Sequence, residues 1–123
     1  MKTERSVTSE DRALGELRRA LSRLSSDLRN TQKIQEAGVS SLALVMSGGG
    51  ACAWSVNNRE ELIRTDHSKM GKEVIARGVQ SFRIMVVPHG NRFLVKFHIS
   101  TARDGRVSGQ SSVMVSADAP GGM

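Results

Sequence analysis

The chain has 123 residues, enough for one domain or for one domain with an appended element. An apolar fraction of 38% keeps any core modest, and a formal charge of +6 at pH 7 suits polyanions: nucleic acid, an anionic membrane or an acidic protein. One cysteine excludes an internal disulfide and a cysteine-based zinc site, and no run of 18 apolar residues offers a membrane span.

Residues 1–8 are polar and are expected to be a flexible N-terminus. Met1-Lys2-Thr3-Glu4-Arg5 has no apolar signal core, so the expected location is the cytoplasm or the inside of a virion. Thr8 or Ser9 can cap a helix, because Glu10 and Asp11 follow in the first turn, where the helix dipole favours negative charge. Leu14, Leu17, Leu21, Leu24 and Leu28 recur at alternating spacings of three and four. That is a heptad seam, and it predicts an amphipathic helix over 9–37, stopped by Gly38. The seam has two readings. It can join copies of the chain as a coiled coil, or it can pack on the protein's own sheet.

Residues 39–47 and 51–56 read as two strands around a turn at Gly48-Gly49-Gly50. No Lys-Ser/Thr follows these glycines, so they do not match a phosphate-binding loop. Asn58 and Glu61 have capping-box spacing and predict a second helix from Arg59 to about Arg77. Residues 79–87, 92–100 and 107–117 then form a three-stranded meander, with turns at Pro88-His89-Gly90-Asn91 and Asp104-Gly105. Residues 118–123 read as a flexible tail. The expected fold class is therefore α+β: a long N-terminal helix, then a small α+β domain over 39–117 made of a β-hairpin, a second helix and an antiparallel meander.

Reactive constellations are weak. Cys52 sits among Ala51, Ala53 and Trp54, where a small buried thiol is ordinary, and His67, His89 and His98 have no ligand spacing. Met46, Met70, Met85 and Met114 could suit an adaptable protein-binding surface, but read first as core fillers. No catalytic residue, metal or cofactor is assigned, and the chain is read as a non-enzyme.

Charge is the better guide. Residues 64–106 hold nine basic and three acidic side chains. Within them Phe93, Val95, Phe97 and Ile99 alternate with Arg92, Lys96, His98 and Ser100, with Leu94 the exception, so one strand face is expected in the core and the other in solvent. Arg83 shares the basic phase on the preceding strand, and Arg103 and Arg106 flank the next turn. Arg83, Arg92, Lys96, His98, Arg103 and Arg106 are thus the candidate contacts to RNA or DNA phosphates. The leading reading is a small basic homo-oligomer, of a kind a virus or mobile element would carry. It would bind nucleic acid by charge and shape and would associate through Leu14, Leu17, Leu21, Leu24 and Leu28. The alternative is an assembly or adaptor protein whose N-terminal helix docks on a protein partner. Convergence of the basic side chains on one surface favours the first; their dispersal favours the second.

Overall fold

The computed structural model describes the backbone of residues 2–67, 71–101 and 107–116 and the side chains of 11–67, 71–101 and 107–115. One helix, α1 (Lys2–Arg29), is followed by eight strands: β1 (Thr31–Ala37), β2 (Ser41–Met46), β3 (Ala51–Val56), β4 (Leu62–Asp66), β5 (Gly71–Ala76), β6 (Ser81–His89), β7 (Arg92–Ser100) and β8 (Ser108–Ser116). They form two antiparallel sheets, β1-β2-β3-β4-β5 and β6-β7-β8, each a meander in chain order. This overturns the α+β expectation. The described chain is β-rich, with a single helix.

The first correction lies at the end of the helix, which stops at Arg29 instead of continuing to Ala37. Past Leu28 the heptad positions are Thr31 and Gln35, so the apolar stripe has no continuation. Local bonds close the helix there. The Asn30 N–H donates to the Ser26 and Asp27 carbonyls, and the Thr31 hydroxyl donates to the Asp27 carbonyl at 2.7 Å. Thr31–Ala37 then pairs with β2 as an edge strand carrying two register shifts.

The second correction concerns residues 59–77, expected as a helix and found as β4 and β5. The capping residue is Asn57, not Asn58. Its Oδ1 accepts from the N–H groups of Arg59 and Glu61, at 2.9 and 3.0 Å, in a turn. Glu60 takes φ 62°, the left-handed region, which a helix starting at Arg59 would not tolerate. Ile63, Thr65, Val74 and Ile75 are β-branched and suit the strands they occupy. β4 also covers the open edge of β3, pairing Trp54 with Arg64 and Val56 with Leu62.

Of the three expected turns, two are described, and the third, at Asp104-Gly105, lies outside the described residues. β2 and β3 flank the glycine turn, where the Gly49 N–H donates to the Met46 carbonyl. β6 and β7 meet at Gly90-Asn91, and Gly90 supplies the positive φ of 66° that a two-residue turn needs.

The inner faces of both sheets and one side of α1 share a single apolar core. Trp54, Leu42, Leu44, Leu62 and Ile75 come from the first sheet; Phe82, Val95, Phe97, Ile99, Val113 and Val115 come from the second. The helix contributes Leu17, Ala20, Leu24 and Leu28, each at most 4% exposed. Burying each of these leucines contributes about 1.5–3 kcal/mol. The leucine seam is therefore occupied by the chain's own sheets, and the coiled-coil expectation is corrected. Leu21 packs partly on the core, and Leu14 is exposed. Gly109 on β8 permits the close approach: a Cβ there would lie 3.0 Å from Leu21 Cδ1 and 3.4 Å from Leu17 Cδ2. The Thr101 hydroxyl donates to the Ala13 carbonyl at 2.9 Å, and Glu16 accepts from the Arg77 N–H at 2.7 Å. The helix is thus tied to the sheets along much of its length.

Candidate nucleic-acid interface

The helix packs on the inner face of the β6-β7-β8 sheet, and on the outer face Arg83, Met85, Lys96, Ser112 and Met114 are exposed. Pairing across the three strands sets that face out as four rungs: Arg83–His98–Gln110, Met85–Lys96–Ser112, Val87–Leu94–Met114 and His89–Arg92. None of these positions is Asp or Glu. Because side chains alternate across a strand, the inward rungs are Phe82–Ile99, Ile84–Phe97 and Val86–Val95, and they hold the sheet on the core.

The first two outer rungs border a groove of about 720 Å³. Arg83, Met85, Lys96, His98, Gln110 and Ser112 line it, and Val39 from the β1–β2 turn closes one end. The turn is fixed there because the Ile84 N–H donates to the Val39 carbonyl at 2.9 Å. No carboxylate lines the groove. Among the described residues, Arg83, Arg92 and Lys96 form no ion pair.

Three of the six candidate phosphate contacts, Arg83, Lys96 and His98, thus meet in one groove. Arg92 lies on the same face, two rungs away from Lys96. There it borders a second cleft of about 280 Å³ with Arg29, Leu28, Thr31, Met114 and Val115. Arg103 and Arg106 lie outside the described residues, as does Met70. The leucines do not join this surface.

Two features of the site depart from the sequence reading: the exposure of Met85 and Met114, and the presence of Arg29. Met85 is 61% exposed and Met114 is 38% exposed, so neither fills the core as expected. Leu94, out of phase with its apolar neighbours, joins Val87 and Met114 in a half-exposed rung. Strict alternation from Phe82 and from Val113 already places both methionines outward. Arg29 is the other addition, brought in only by the end of the helix.

A second charged cluster is closed instead of open. Asp27, on the buried side of α1, accepts from Trp54 Nε1 at 2.8 Å and from Arg64 Nε at 2.6 Å, and Arg64 Nη2 reaches its other oxygen at 3.3 Å. The Cys52 thiol lies 3.6 Å from Asp27 Oδ2 and 3.6 Å from Met46 Sδ. Burial, followed by the neighbouring Asp27 carboxylate, pushes the Cys52 thiol up to about 11. It therefore remains protonated at neutral pH and is a poor nucleophile. The hydrogen bond to Asp27 raises the pKa of Arg64 and keeps its guanidinium charged. Trp54 Nε1 and Arg64 Nε and Nη2 are all engaged by Asp27. The chemistry of the cluster is that of a latch between helix and sheet.

Among the described residues, no group of three or more His, Cys, Asp or Glu is placed to hold a metal ion. No helix in the described chain is long and apolar enough to cross a membrane. No family model, curated protein or solved structure matches the chain.

Proposed function

We propose that the protein binds nucleic acid through the outer face of β6-β7-β8, by charge and shape and with little dependence on sequence. The observation that carries this reading is the convergence of Arg83, Lys96 and His98 on one groove with no carboxylate in its lining. Cations left without counter-charges on one surface produce a local positive potential, and phosphates meet it by releasing condensed counterions. The aromatic side chains of this sheet do not serve as stacking platforms: Phe82 and Phe97 are buried on the inner face, and Phe93 shares their phase. Contacts to the backbone of the nucleic acid then dominate, which is why sequence matters little.

The adaptor reading draws less support. A docking helix presents an apolar stripe to its partner, and here that stripe lies in the chain's own core, leaving Leu14 as its exposed remnant. Self-association through the seam loses its motive for the same reason, and the binding reading does not need it.

Fluorescence anisotropy with labelled RNA and DNA oligonucleotides across a salt series tests the proposal. Each phosphate contact contributes about 0.7–0.9 to the slope of log affinity against log salt. Arg83→Ala with Lys96→Ala should lower the slope by roughly one to two and weaken all sequences alike. Absence of binding at low salt, or an unchanged slope in the double variant, would overturn it.

A further inference from the structure

The outer face is not uniformly cationic. Arg83 and Lys96 stand at one end, and Arg92 stands at the other, beside Arg29 in the smaller cleft. Between them lies the apolar rung Val87–Leu94–Met114. Lys96 and Arg92 are four residues apart on β7, about 14 Å at ~3.4 Å per residue. A ligand read only through its phosphates, such as a duplex, has no use for apolar surface in that interval. A single strand does, because its unpaired bases need somewhere to shed water, and the outer rungs expose the polarisable thioethers of Met85 and Met114.

Resting on the binding reading above, we infer that the ligand is a single-stranded nucleic acid laid along β7. Its phosphates contact Arg83 and Lys96 at one end and the Arg29–Arg92 pair at the other, and its bases rest on Met85 and the Val87–Leu94–Met114 rung. An extended strand advances at most roughly twice the 3.4 Å stacked rise per nucleotide, so two or three nucleotides span the interval. Arg29 also lies in the last turn of α1, where a cation offsets the negative helix end. That same negative end repels an anion, so the second contact needs both guanidiniums. Arg29 and Arg92 come from elements far apart in sequence and meet only because the helix ends beside β8.

The test compares a ten-nucleotide oligo(dT) with a ten-base-pair duplex by anisotropy. The single strand should bind at least tenfold more tightly. Met85→Ala with Met114→Ala should weaken the single strand by roughly two- to tenfold, the range of thioether contacts to aromatic rings, without changing its salt slope. Arg29→Gln with Arg92→Gln should lower that slope by about one to two. Arg92→Gln alone, at an exposed strand position, should lower it by about one, and it guards against a helix-end effect of the Arg29 change. Equal or tighter duplex binding, or unchanged slopes in both arginine variants, would overturn the single-strand path. If the Arg83 and Lys96 dependence survives those outcomes, the binding reading stands without it. No binding of either probe at low salt removes both.

Discussion

Arg64 and Arg83 carry the same guanidinium into opposite circumstances. Arg64 points inward, its side chain 15% exposed, and is paired with Asp27 at 2.6 Å and with Asp66 at 3.7 Å. Arg83 points outward from an edge strand and, among the described residues, meets no carboxylate. Taking Arg64 out of water requires that its charge be matched, so its neighbourhood is complete and has nothing left to offer a ligand. Nothing forces Arg83 to be matched by its own chain. A charge that folding has already neutralised maintains structure, and a charge that folding leaves open is available for binding.

The comparison breaks most sharply at Asp27. Asp27→Ala would leave the Arg64 guanidinium largely buried without its main partner and the Trp54 N–H without an acceptor. Removing one member of a buried pair costs about 3–5 kcal/mol, read from the urea midpoint. Adding Arg64→Met should recover a large part of that loss, because the stranded charge is then gone. A loss below about 1 kcal/mol for Asp27→Ala would mean the cluster is open to water, like the outer face.

Next in size is a pH effect. Cys52 is 1% exposed and its thiol is raised from 9.0 to about 11 in the folded chain. Between those values the unfolded thiol has lost its proton and the folded one keeps it, so the folded state binds more protons. The stabilisation is fully present below pH 9 and is lost as pH rises through 11, by about 2–3 kcal/mol in all. Cys52→Ala should flatten this alkaline fall in a pH series of urea midpoints. An unchanged fall in the variant would assign it to other groups.

The smallest effect is expected where the binding effect is largest. Arg83→Ala and Lys96→Ala remove exposed side chains that form no ion pair among the described residues, so each should change stability by no more than about 0.5 kcal/mol. A larger loss would show that these cations hold the fold together.

How much of this was legible in the sequence follows the same division. Period-2 alternation around Phe97 places Arg92, Lys96 and His98 on one face, and the structure keeps them there, because a strand with one buried face has a fixed phase. The glycine turn at 48–50 was legible because turn chemistry is local. The second helix failed because capping-box spacing is also satisfied by a turn, and the edge of β3 competed for the same residues. The leucine seam correctly marks an apolar stripe, but its spacing is the same whether the partner is another chain or the chain's own sheet. Asp27 carried a readable mark: it follows Leu24 by three residues and so shares the buried side of the helix. Its partners Trp54 and Arg64 could not be read, since tertiary contact alone brings them there.

Nuclear magnetic resonance of the ¹⁵N-labelled protein titrated with oligo(dT) tests the central claim most directly, because it reads both regions at once. The account predicts that amide shifts move at Arg83, Lys96, His98 and Gln110, while the Trp54 indole N–H, bound to Asp27 at 2.8 Å, stays in place. Shifts centred on the exposed side of the helix, or a moving Trp54 indole with a silent β6-β7-β8 face, would contradict it.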